Sequence, residues 1–296
     1  MREYIARSST SSSGVSLTKK SVINAQQRVA LIERIACYTV GIAANNNTCI
    51  GTGTLVAIDG YHLVITAEHV IEDADVQSIR FWCRPPAPII EKAAKALSPS
   101  EIGRLTEGRR FPIETIITDS VTDLAAIKIP TDFQLPEPNE FYSLNKSWQL
   151  AKCTEEELEG LSFIYFGFPV ANSLPLRTVG EKAYYFLGCA HNACHYDKTL
   201  NAQAWKTLSS SLSPEKDFLL KYNLSPENIA PQGFSGCGVW VGSEDPNSLV
   251  WGSEPLLIGT VYGYLEKSSL LVATKIARIL GIAKYTAAFV KNSGAI

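Results

Sequence analysis

Apolar positions follow two rhythms along this chain. Between about residue 37 and residue 129 they gather in short β-branched stretches separated by turn residues, whereas near both ends they recur at three- and four-residue intervals. The first rhythm predicts strands and the second helices. Strands are expected at Cys37–Ile42, Gly51–Ile58, Tyr61–Thr66, Ser78–Cys83, Ile113–Ile117 and Leu124–Ile129, with Asn45-Asn46-Asn47 and Asp59-Gly60 as turns. Asn24 can cap a helix over Ala25 to Ile35, where Val29, Ile32 and Ile35 share a face, and this helix is expected on the outside of the first group of strands. Residues 85–108 are polar and helix-prone and read as an insertion.

The second half repeats the pattern. Leu161 to Pro169 and Leu256 to Tyr264 read as strands, and Val272 to Leu280 has helical spacing. Residues 1–20, with the run Ser8-Ser9-Thr10-Ser11-Ser12-Ser13, carry too little apolar surface to offset ordering and read as a flexible tail. Residues 21–135 then form a helix and a first set of strands, 136–160 a Pro- and Glu-containing connector, and 161–296 a second set closed by a helix. The fold class expected is all-β.

Composition narrows the partners. In 296 residues, 46% are hydrophobic and 19% charged, enough for a large core, and a formal net charge of −2 supplies no basic field for nucleic acid. No run approaches the ~18 to 20 apolar residues of a membrane span. The opening Met1-Arg2-Glu3-Tyr4 leads into serines rather than an apolar signal core, so a cytoplasmic location and no membrane partner are expected. Seven scattered cysteines do not form a disulfide framework and read as thiols.

The chemistry lies in three segments: Thr66-Ala67-Glu68-His69-Val70, Asp123-Leu124-Ala125-Ala126-Ile127 and Gly233-Phe234-Ser235-Gly236. A serine hydroxyl is a weak nucleophile near neutral pH. Acyl transfer through it needs an imidazole to take its proton and a carboxylate to hold that imidazole's tautomer. It also needs backbone N–H groups turned toward the developing oxyanion, which favours adjacent glycines. The order His, Asp, Ser excludes the α/β-hydrolase elbow, because no histidine follows Ser235; the flanks of Asp59 and Ser235 do not suit a subtilisin-like order.

These segments resemble the trypsin-like (chymotrypsin-fold) serine peptidases over roughly Cys37 to Ala283. The resemblance implies two antiparallel β-barrels with an N-terminal and a C-terminal helix. It makes His69 the general base, Asp123 its orienting partner and Ser235 the nucleophile, with the N–H groups of Gly233 and Ser235 as oxyanion hole. Asp119 competes with Asp123, but the Asp-Leu-Ala-Ala-Ile context favours Asp123. The strand carrying Tyr262 is similar to the family's post-serine strand, whose edge pairs with the substrate backbone. Ile229, six before the nucleophile, and Ala230 stand where the primary pocket has its floor, implying an apolar or small residue before the cut.

The chain departs from the family pattern in informative places. Phe234 replaces the aspartate that pairs with a newly cut N-terminus, which argues against zymogen activation of that type. Cys237 and Gly238 alter the turn after the nucleophile, and Glu68 beside the base is expected to be an exposed neighbour. Cys189, His191, Cys194 and His195 are potential zinc ligands, but four ligands within seven residues converge poorly, so the segment reads as a loop with free thiols and no metal or other cofactor is expected. The function expected is an intracellular serine endopeptidase acting on protein or peptide substrates and gated by a regulatory protein or conformational change. The alternative is a binding module that keeps the fold without turnover.

Overall fold

The computed structural model describes residues 25–44, 49–83, 109–152, 155–159, 161–169, 173–179, 182–187, 190–206, 208, 212–222, 231–242 and 254–293. Within these, the chain is mostly antiparallel sheet. One sheet is built from β1 (Thr39–Ala44), β2 (Cys49–Ile58), β3 (Tyr61–Thr66), β4 (Arg80–Cys83), β5 (Thr115–Asp119) and β6 (Leu124–Ile129) in the order β4-β1-β2-β3-β6-β5. A short β7 (Tyr142–Ser143) adds to β2 in parallel. The β2–β3 hairpin turns at Asp59 and Gly60 with φ of 50° and 83°, the two positive values that match strand twist.

The second sheet orders β11 (Ala190–His195), β8 (Ser162–Gly167), β13 (Gly238–Gly242), β14 (Pro255–Leu265), β15 (Leu270–Lys275) and β12 (Asp217–Lys221). β9 (Ser173–Val179) and β10 (Lys182–Leu187) form a separate hairpin. The helices are α1 (Ala25–Cys37), α2 (Lys198–Trp205) and α3 (Ile276–Ser293), with a single helical turn at Glu155–Leu158. The segment bearing His191, Cys194 and His195 is strand β11 rather than a loop; Cys189 lies outside the described residues, and no cluster of three metal-ligating side chains occurs among those described.

Two further sequence expectations are corrected. Val272 to Lys275 is strand: Leu270-Leu271-Val272-Ala273-Thr274 pairs with β14 on one side and β12 on the other, and the ladder overrides local helical spacing until Ile276. The helix that follows turns Ile276, Ile279, Leu280 and Ala283 into the core. The second correction concerns α1, which packs on β8 and β14 of the second sheet as well as on β1. Its Leu31 and Ile35 join Phe163, Ile164 and Trp240 in one core with Leu63 and Ile65 of the first sheet. Tyr38, Tyr142 and Trp240 clasp the two sheets, with ring centroids 5.2, 5.6 and 5.0 Å apart. No described helix is long and apolar enough to cross a membrane.

Candidate active site

His69 sits just past the end of β3. Thr66 donates from Oγ1 to the Thr52 carbonyl at 2.8 Å, Ala67 and Val70 are buried, and the 3₁₀ turn Glu68–Val70 leaves the His69 side chain 44% exposed. Buried neighbours therefore position a ring that solvent can reach.

Asp123 closes the turn between β5 and β6. Asp119 accepts from the Val121 N–H at 3.1 Å and from the Thr122 hydroxyl at 2.7 Å, so its carboxylate folds the turn and makes no bond to His69. Asp123 itself holds φ at 48°, a strained value for a side-chain-bearing residue, and is compensated by three bonds to the histidine segment. Its carbonyl accepts from Glu68 N–H at 3.2 Å, Oδ1 accepts from His69 N–H at 3.0 Å, and Oδ2 lies 2.6 Å from His69 Nδ1. A carboxylate can only accept, so Nδ1 carries the proton and Nε2 is left as the basic nitrogen. That hydrogen bond raises the His69 pKa; burial opposes it, and the charges of Asp123 and Glu72 add to the rise.

Ser235 lies in a turn fastened to the first sheet. Thr52 is the hub: its N–H donates to the Ser235 carbonyl at 2.8 Å, its hydroxyl donates to the Gly233 carbonyl at 2.7 Å, and the same oxygen accepts from Phe168 N–H at 3.0 Å. Thr54 adds a bond to the Gly236 carbonyl at 3.2 Å. A Cβ on Gly236 would fall 1.9 Å from the Thr52 carbonyl and 2.4 Å from Thr66 Oγ1, so only glycine, here at φ 89°, lets the turn meet the end of β3. The serine turn thus touches Thr66, three residues before His69. Among the described residues no hydrogen bond joins the Ser235 hydroxyl to His69.

The backbone donors around Ser235 are unevenly used. Phe234 N–H bonds to the Pro231 carbonyl, Gly236 N–H to Val261 and Cys237 N–H to Phe234. The N–H groups of Gly233 and Ser235 have no acceptor among the described residues. Those are the two donors expected to face an oxyanion, and Gly233 takes φ of 95°.

The residues that depart from the family pattern have structural roles. Phe234 is buried with its ring edge-on to Tyr165 at 5.5 Å, and Cys237 is buried beneath the turn, where desolvation raises its thiol pKa and keeps it protonated. Glu68 is not a bare neighbour: it accepts from the Ser120 hydroxyl at 2.8 Å, tying the histidine segment to the aspartate turn. Tyr262 occupies a bulge in β14 and packs against clusters on both sides; burial first, then Asp217, raises its pKa. Ile229 and Ala230 lie outside the described residues.

Thr52 escaped sequence analysis, although the repeat Gly51-Thr52-Gly53-Thr54 was a usable signal. Alternating glycines in a strand mark close backbone approach. A Cβ at Gly51 would lie 2.6 Å from the Val70 methyls, and one at Gly53 would lie 2.5 Å from Val64 Cγ1.

No protein-family model matches the chain, and no curated protein matches it. Among solved structures it is similar to a serine endoprotease from Yersinia pestis, at 15% sequence identity and a TM-score of 0.49. The match covers 87% of this chain and spans 65% of the length of that one.

Proposed function

We propose that this chain is a trypsin-like serine endopeptidase whose two sheets are the two barrels of that fold. The observation that carries the reading is the contact of 2.6 Å between His69 Nδ1 and Asp123 Oδ2, made beside a glycine-bracketed serine turn that Thr52 fastens to the same sheet. In this reading His69 Nε2 takes the Ser235 proton as Oγ attacks a peptide carbonyl. The new oxyanion is held by the N–H groups of Gly233 and Ser235. The protonated imidazole then gives its proton to the leaving amine, and water, activated by the same nitrogen, hydrolyses the acyl-enzyme. Asp123 stabilises the imidazolium and fixes its tautomer without taking the proton.

The chemistry needs no cofactor, and gating by a partner protein belongs to the same proposal. Digestion of an unfolded protein with wild type and with Ser235→Ala, followed by mass spectrometry of the new chain ends, tests it. Cuts after apolar or small residues, present only with wild type, are expected; efficient cutting after arginine overturns the specificity, and identical digests overturn the peptidase. The unmade Ser235–His69 hydrogen bond favours a second reading, a binding module without turnover, which the identical-digest outcome would select.

A further inference from the structure

Between β5 and the first turns of α3 lies a groove of about 320 Å³. Ile117 and Ile282 supply its apolar lining, Arg278 and Asp119 its charges, and Tyr285 lines it while remaining 60% exposed. At Gly281 it is open, since a Cβ built there would meet nothing within 4 Å. Glycine in a helix interior costs about 1 kcal/mol relative to alanine, and here no close approach requires it. What its missing side chain provides is space over the helix.

The groove's polar groups differ in availability. Among the described residues no ion pair or hydrogen bond engages the Arg278 guanidinium. Each Asp119 oxygen accepts one bond from its own turn and keeps a lone pair for a further donor. An occupant fitted to this lining carries a carboxylate for Arg278, an apolar group for Ile117 and Ile282, and an N–H for Asp119. The last residue of a polypeptide presents all three together; a fatty acid lacks the N–H, and an amidated peptide lacks the charge.

We propose that this groove binds the free C-terminus of a polypeptide whose last residue is apolar. The site goes beyond the peptidase reading and its occupancy does not rest on it. Because Asp119 also folds the turn that presents Asp123 to His69, binding is felt at the histidine.

The test uses the full chain carrying Ser235→Ala, so that peptide is bound and not consumed, and a dye-labelled Gly-Ser-Gly-Ser-Val-Leu peptide followed by fluorescence anisotropy. Saturable binding is expected, weakened at least about ten-fold by C-terminal amidation and by Arg278→Gln, since a guanidinium–carboxylate pair is lost in each case. Gly281→Leu, checked for folding by its thermal melt, is expected to abolish binding, while Gly281→Ala retains it. On saturation the His69 ring resonances shift. Absence of binding, equal binding of acid and amide, full binding by folded Gly281→Leu, or equal competition by octanoate each overturns the site; unmoved His69 resonances overturn the coupling.

Discussion

Asp123 does more than orient a ring, because its three bonds to residues 68 and 69 offset a left-handed backbone and fix which imidazole nitrogen is basic. Asp123→Asn keeps the shape but reverses the polarity at one oxygen, so turnover is expected to fall about ten-thousand-fold. The pH profile gives a second readout. His69 must be neutral to act as base, and its raised pKa places the acid limb of the rate above the pH of an ordinary histidine. With the carboxylate gone, burial is opposed only by the charge of Glu72 and the limb moves to lower pH. The same rise means that stabilisation from the pair is full below the unfolded-state pKa and is lost as pH climbs through the folded value. An acid limb that stays in place in Asp123→Asn would show that the carboxylate does not set the base. At Thr52, Thr52→Val leaves the Gly233 carbonyl and the Phe168 N–H unpaired in a buried place, an expected loss of about 2–4 kcal/mol in urea denaturation. An unchanged midpoint would deny Thr52 its place as hub. The pairing of Asp123 with His69 was legible from short motifs. Thr52 was hidden because its hydroxyl bonds a carbonyl 181 residues away, and only the alternating glycines beside it signal that close approach.

Elements were legible where alternation and turn chemistry agree, as in β2 and β3 around Asp59-Gly60. They were misread where a ladder on both sides overrides local spacing, as in β15. α3 begins only where that ladder stops. Its interior glycine predicts a gain: Gly281→Ala meets open space and is expected to raise stability by about 1 kcal/mol, seen as a higher thermal midpoint. A lowered midpoint would mean that Gly281 is required by packing after all.

On the scale of the whole molecule, the serine turn reaches the histidine only if the two sheets are held together, and a common core with the Tyr38–Tyr142–Trp240 cluster does that. α1 contributes by lying across β1 and β8, a placement no local pattern could reveal because its apolar stripe fits either sheet. Ile35→Ala is expected to cost about 2–5 kcal/mol and to lower one transition seen alike by tryptophan fluorescence and by far-UV circular dichroism. Two separated transitions would show that the sheets unfold independently.

The central claim is an activated serine, and the most direct measurement is intact-mass spectrometry after exposure to a fluorophosphonate, on wild type, Ser235→Ala and His69→Ala. The account predicts a single adduct on wild type and none on either variant; folded wild type that takes no adduct, or an adduct that persists in Ser235→Ala, would contradict it.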